Sequence, residues 1–174
     1  ISPYGASKLA SEAYTLAYAE TYGLKTLVFR FFNVYGPNQR SDHPYAAVIP
    51  KFVQSALSDG RVTIHGTGEQ SRDFTHVDSV CETLISAVFR RYSAATPINL
   101  AFGTSVSINE ILAIIERETQ TKLKVDYLPS RPGDVKKSRS DPTLFRESFA
   151  EVRPTDIQVG LRTTLDWARG FGCR

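Results

Sequence analysis

The sequence predicts an α/β fold made of the last part of a parallel sheet covered by helices, followed by a smaller mixed α/β lobe. Three observations point to it. A helix-forming stretch, Tyr4 to Tyr22, runs directly into "KTLVFRFFNVYG" (Lys25 to Gly36), which is apolar nearly throughout except at Arg30. A strand that is apolar on both faces belongs inside a parallel sheet with helices on each side. Beyond Gly36 short strand patterns alternate with helical ones, and several polar loops separate them.

Taken in order, Pro3 suits the first turn of a helix, where its missing N–H costs nothing. Ala, Leu, Glu and Lys carry that helix to Tyr22, and Gly23 supplies the stop. "GPNQRSDHPY" reads as a polar loop, and "AAVIPKFVQSAL" as a helix ending at Asp59-Gly60. "RVTIHG" predicts a short strand, and "GTGEQSRDFTHV" a turn with a second short extended piece. Val77 to Tyr92 has apolar residues at helical spacing (Val80, Leu84, Ile85, Val88), with Asp78 placed to cap it. "PINLAF" predicts a strand. Ser107 and Glu110 then have capping-box spacing at the start of "SINEILAIIERET". "KLKVDYL" alternates like a strand, "RPGD" turns the chain, and Thr155 to Ala168 predicts a last amphipathic helix. Trp167, Leu161 and Leu165 would form its packing face, and Cys81 a core thiol.

Composition sets bounds on function. The 174 residues are 41% hydrophobic and 22% charged, ordinary for one globular domain or a small domain with part of another. No window offers the roughly 18 uninterrupted apolar residues of a membrane span, and Ile1 to Leu9 is neither a signal nor a transit peptide. With 21 basic and 18 acidic residues, the charge of +3 is too weak and scattered for nucleic-acid binding. Two cysteines, Cys81 and Cys173, make no disulfide framework, so a reducing, cytoplasmic setting is expected. His43 and His76 have no second ligand at metal spacing, so no metal site is expected. The complete absence of Met suggests that Ile1 is a cut rather than a native beginning.

Tyr4 and Lys8 stand four apart, on one face of the first helix. A phenol titrates near pH 10, so a tyrosine base near neutrality needs its anion stabilised, and an ammonium one turn away supplies the charge. Alone, the same spacing suits any amphipathic surface helix. Further on, Asn33 at the end of the apolar run is either a turn residue or an amide donor where open α/β sheets bind ligands. Arg72 in "SRDF" and Arg131 in "SRPGD" are solvated arginines or a pair of forks for a diphosphate.

"SPYGASK", "RFFNVYGP", "GTGEQSRDFTHVD" and "RPGD" in this order and spacing resemble the extended short-chain dehydrogenase/reductase family of NAD-dependent nucleotide-sugar epimerases and dehydratases. The resemblance spans essentially the whole chain. "PYAAVIPKF" (Pro44 to Phe52) looks most like the UDP-hexose 4-epimerases, those of UDP-glucose and UDP-N-acetylglucosamine. It implies that residues 1–40 are the remnant of a Rossmann-like NAD-binding domain. Residues 41–174 would be the substrate-binding lobe, with segments returning to the Rossmann sheet.

The resemblance also implies roles. Tyr4 would move the proton of the sugar 4-hydroxyl while NAD takes the C4 hydride, and Lys8 would support Tyr4 and hold the nicotinamide ribose. Phe32 would line the nicotinamide pocket and Asn33 contact the sugar nucleotide. Val48, Thr63, Ile64 and His65 fall at the uracil side, with His65 where an aromatic ring usually stacks. Arg72 and Arg131 would clamp the pyrophosphate, and Asp134 would accept from ribose hydroxyls. Ser138 falls where a bulky aromatic excludes an N-acetyl group, so its small size predicts acceptance of UDP-N-acetylhexosamines as well as UDP-hexoses.

No G-x-x-G-x-x-G follows a first strand, and the family's upstream Ser/Thr partner of the tyrosine is missing. The resemblance therefore covers the C-terminal half of an enzyme. The chain alone is expected to be inactive and to bind no NAD tightly, with its missing N-terminal half as partner. It also implies a homodimer with no nucleic-acid or membrane partner. A 4,6-dehydratase or decarboxylase of the same family, or a non-catalytic nucleotide-sugar-binding fragment, remain alternatives.

Overall fold

The computed structural model describes residues 3–42, 47–130 and 135–170. Its first helix, α1 (Pro3–Tyr22), buries none of its residues. The helix is tied to the first strand by Glu12, whose carboxylate accepts from Arg30 Nε at 2.7 Å. Arg30 sits in β1 (Phe29–Phe31). The run 25–36, expected as one strand, is instead two pieces, β1 and β2 (Val34–Tyr35). The break falls at Asn33, whose φ of +36° lies in the left-handed region that short polar side chains tolerate better than branched ones. The kink sends the two pieces to different partners.

The remaining elements are α2 (Val48–Leu57), β3 (Arg61–His65), β4 (Ser71–Arg72), β5 (Thr75–His76), α3 (Val77–Phe89), β6 (Ile98–Leu100), β7 (Val106–Ser107), α4 (Ile108–Thr119), β8 (Lys124–Leu128), α5 (Thr143–Ser148) and α6 (Ile157–Gly170). The predicted ones appear in the predicted order, but the one extended piece expected in "GTGEQSRDFTHV" is two strands, and β7 and α5 are additional. The ladders are two-stranded. Parallel pairs join β1 to β6, β2 to β5 and β3 to β8, with Phe29↔Ile98, Val34↔Thr75 and Arg61↔Lys124 in register. An antiparallel pair joins β4 to β7, Ser71 facing Ser107.

Among the described residues two apolar cores result. One packs α2, α4 and α6 over β3 through Phe52, Val53, Ile64, Ile111, Ile115, Leu161 and Leu165. The other packs α3 and α5 on β6 through Val80, Ile98, Leu100, Phe145 and Phe149. The second core brings residues near the chain's end back to the strand pair that begins it. Ordinary transfer energies give about 1.5–3 kcal/mol for each fully buried Leu, Ile or Phe.

Several expectations are corrected. Asp78 is not the cap of α3. The preceding His76 is, its ring Nδ1 accepting from the Asp78 N–H at 3.3 Å. Val80 of that helix is buried, whereas Leu84, Ile85 and Val88 are exposed, so the predicted apolar face is only partly covered. Cys81 is exposed rather than a core thiol. The six-residue α5 was not predicted; it is too short for helical periodicity to register. The capping box at Ser107 and Glu110 forms as predicted, at 3.1 and 2.7 Å. Among the described residues no helix is long and apolar enough to cross a membrane.

Candidate active site

Tyr4 and Lys8 lie on α1 as the spacing predicts. The Lys8 ammonium is 5.4 Å from the centroid of the Tyr4 ring, and Tyr4 is 72% exposed. The phenol is thus open to a ligand and has a cation beside it.

A second group gathers around a cavity of about 200 Å³. Asn33, Val48 and Arg72 line it together with Tyr35, Ile49 and Phe74. The kink at Asn33 brings β2 and α2 against the β4–β5 segment. Asn33 Nδ2 donates to the Asp73 carbonyl at 3.0 Å, which orients the amide at the cavity edge. Arg72 Nη1 donates to the Val135 and Ser71 carbonyls at 2.6 and 2.9 Å. The cavity therefore combines an apolar wall (Val48, Ile49, Phe74) with an amide and a guanidinium. It suits a ligand with a flat apolar part and an anionic part.

Ser138 joins this group through its backbone, its N–H donating to the Ser71 carbonyl at 3.1 Å, next to Arg72. Thr63 and His65 share one face of β3, and the His65 ring Nδ1 lies 3.3 Å from the Pro129 carbonyl. Ile64 points the other way: it is 2% exposed and belongs to the apolar core, so its side chain is unavailable to a ligand. That alternation is the ordinary period of a strand, and it limits Ile64 to a backbone contact at most. Thr63 and His65 are not among the residues lining the 200 Å³ cavity, and neither are Tyr4, Lys8 or Phe32. Phe32 is half-buried between β1 and the kink. Arg131 and Asp134 lie outside the described residues, as does His43.

Asp73 escaped the sequence reading. It is fully buried, and its two carboxylate oxygens accept from Gly103 N–H and Thr104 Oγ1, both at 2.9 Å, and from Ser140 Oγ at 2.6 Å. Its local sequence says only that an Asp between Arg72 and Phe74 in an extended segment needs donors if that segment is buried, without saying that it is. Beside it, Tyr35 is buried with no hydrogen-bond partner for its hydroxyl, and burial pushes its titration well above the usual phenol range. Burial also holds His76 below its ordinary value, opposed in part by the Asp78 carboxylate.

Known proteins of similar sequence and shape carry the same arrangement of elements. The model of the NAD dependent epimerase/dehydratase family matches residues 1–101. UDP-glucuronate 4-epimerase of Thermodesulfobacterium geofontis is 32% identical over 170 residues, 97% of this chain and 51% of that protein. A UDP-N-acetyl-alpha-D-glucosaminuronate decarboxylase of Bacillus cytotoxicus is 30% identical, over 95% of this chain and 53% of its own length. Among solved structures, UDP-N-acetylglucosamine 4-epimerase from Methanobrevibacter ruminantium, in complex with UDP-N-acetylmuramic acid, superposes with a TM-score of 0.88 at 38% identity. The match takes in 98% of this chain and 55% of that one. UDP-glucose 4-epimerase of Thermotoga maritima with UDP-glucose gives 0.89 at 33%, over 98% and 54%. The chain spans about half the length of the relatives it matches. An α/β chain that superposes on those Rossmann-like enzymes over 98% of its length, and whose first 101 residues match the family model, belongs to the NAD-dependent epimerase/dehydratase family.

Proposed function

We propose that this chain is the C-terminal half of an NAD-dependent UDP-sugar 4-epimerase, acting on UDP-glucose/UDP-galactose and, through the small Ser138, on UDP-N-acetylhexosamines. The observation that carries the reading is the convergence of Asn33, Val48 and Arg72 on one cavity, with the Ser138 segment bonded to the strand that bears Arg72. An apolar wall for the base and a guanidinium for the diphosphate leave the pyranose less tightly held, which 4-epimerisation needs.

The residues fit the cofactor. An open tyrosine with a lysine ammonium alongside it, at the chain's start, suits a group reached through a nicotinamide ribose, with Phe32 as an apolar contact. Bound NAD supplies the two-electron oxidation and re-reduction at C4. Tyr4 holds and moves the proton of the 4-hydroxyl, and Lys8 stabilises its anion and binds the ribose. Asn33 donates to the sugar nucleotide without bringing charge. Arg72 and Arg131 hold the pyrophosphate, and Asp134 the ribose hydroxyls. Val48 closes the uracil side, Ile64 contributes backbone only, and Thr63 and His65 present a hydroxyl and a ring to the base. Residues 1–40 complete the NAD-binding domain and 41–174 form the substrate lobe. The exposed Leu9, Tyr14, Tyr18 and Tyr22 of α1 supply apolar surface for a homodimer and for the N-terminal half, in a cytoplasmic enzyme.

The decarboxylase relative favours a second reading, a nucleotide-sugar decarboxylase or dehydratase using the same Tyr4 and Lys8. One experiment separates them. The full-length enzyme is incubated with UDP-glucose, UDP-N-acetylglucosamine and UDP-glucuronate, and products are identified by NMR. Expected are 4-epimers, a kcat for Tyr4→Phe lowered about 10²–10⁴-fold by loss of the proton-transfer group, and loss of N-acetylhexosamine turnover in Ser138→Tyr. Loss of carbon dioxide or formation of a 4-keto-6-deoxy product would establish the second reading instead. No turnover of any of the three would leave a nucleotide-sugar-binding fragment.

A further inference from the structure

We propose that Asp73 is a positioning residue that sets the register between Arg72 and the Ser138 segment, and through it the choice of sugar; the inference rests on the nucleotide-sugar reading of the site. The segment 135–140 touches β4 at two levels. At the upper level the contacts are backbone bonds: Ser71 N–H to the Lys136 carbonyl at 3.0 Å and Ser138 N–H to the Ser71 carbonyl at 3.1 Å, with Arg72 Nη1 reaching the Val135 carbonyl. A pairing this short specifies register weakly, and a slip by one residue turns every side chain to the opposite face. At the lower level the Asp73 carboxylate receives Ser140 twice, from Oγ at 2.6 Å and from N–H at 3.3 Å. The same carboxylate receives the Gly103 N–H and the Thr104 hydroxyl, both at 2.9 Å. Its own carbonyl receives Asn33 Nδ2 at 3.0 Å.

One fully buried residue thus joins four segments: the kink that offers Asn33, the strand that offers Arg72, the segment that offers Ser138 and the turn at Gly103–Thr104. Bonds to a carboxylate are stronger than those between neutral groups, and here four donors meet on one. Ser140 is two residues from Ser138, so a fixed Ser140 leaves Ser138 little freedom to slide. Displacements of about 1 Å in a positioning element cost up to two orders of magnitude in turnover, and pockets discriminate substituents by comparable factors. Sugar choice should therefore respond to Asp73 even though its side chain is out of reach of a ligand.

The test uses the full-length enzyme and the ratio of kcat/KM for UDP-N-acetylglucosamine over UDP-glucose. Ser140→Ala and Thr104→Val each delete one donor, and Asp73→Asn changes the acceptor. Expected is a shift of the ratio by at least about fivefold in Ser140→Ala, a smaller one in Thr104→Val, and recovery to within about twofold in Ser140→Thr, which restores the hydroxyl. A merely structural role would lower the melting temperature and scale both substrates alike, leaving the ratio fixed. That result in Ser140→Ala and Thr104→Val overturns the proposal whether or not Asp73→Asn folds. A wild type that turns over neither sugar overturns the parent reading and this one together; an active wild type with an unchanged ratio overturns this one alone.

Discussion

Gly160 lies in the first turn of α6, where its N–H donates to the Asp156 carbonyl at 2.9 Å and its carbonyl receives the Thr163 and Thr164 hydroxyls at 2.9 and 2.7 Å. It is buried against the ring of Tyr35 and the imidazole of His76. A Cβ added there would stand 2.8 Å from His76 Cδ2 and 3.0 Å from Tyr35 Cζ, and would overlap the Tyr35 hydroxyl outright. Replacing glycine by alanine inside a helix ordinarily stabilises by about 1 kcal/mol. Overpacking a well-filled core costs about 1–3 kcal/mol. Here the obstacles are a ring in the core and the ring that caps α3, neither the loose end of a flexible chain, so overlap wins. Gly160→Ala should destabilise the full-length protein by about 1–2 kcal/mol. The Tyr35 hydroxyl is both the nearest obstacle and a buried group without a partner, so Tyr35→Phe should stabilise by about 1 kcal/mol. In that background Gly160→Ala should cost at least about 1 kcal/mol less than in the wild type. Urea denaturation followed by circular dichroism on the four proteins of the cycle reads all three values. A Gly160→Ala protein as stable as wild type, or one whose cost is the same in both backgrounds, would refute the overlap argument.

The helix starts give two further outcomes. Ser107→Ala removes the hydroxyl half of the capping box and should cost about 1 kcal/mol in the same denaturation assay. The hydrogen bonds from Ser107 hold Glu110 below the ordinary carboxylate range, so this stabilisation is present above that range and lost on acidification; the mutant's stability should depend less on pH there. For His76 the folded value lies below the unfolded one near 6.5, so the unfolded chain binds the extra proton. Stability should be complete above that pH and decline as pH falls through the folded value, and His76→Gln should flatten the slope.

Element order and type were largely readable because local signals agreed with the final packing. The capping box at Ser107, the alternation of "RVTIH" and the Gly60 turn each carry their structure in a few adjacent residues. The kink at Asn33 was not readable, because the apolar run around it satisfies a strand on periodicity alone and only two different partner strands reveal the break. The exposed Leu84, Ile85 and Val88 resist reading for a related reason: periodicity marks an apolar face without saying what covers it. At the site, Asn33, Arg72 and Val48 came from the resemblance and meet in one cavity. Ile64 came from the same resemblance and is taken by the core. Asp73 was missed because the donors it gathers come from residues 103, 104 and 140, which no local window contains.

Each ladder among the described residues joins distant stretches, from Ser71↔Ser107 to Phe29↔Ile98, and none closes through a tight turn. During synthesis β3 leaves the ribosome long before β8 exists to receive it. Helices such as α4 can form early, while the strands must wait for large loops to close, which places this chain among the slower-folding topologies. The interval in which β3 waits for β8 is when a chaperone would have most to do.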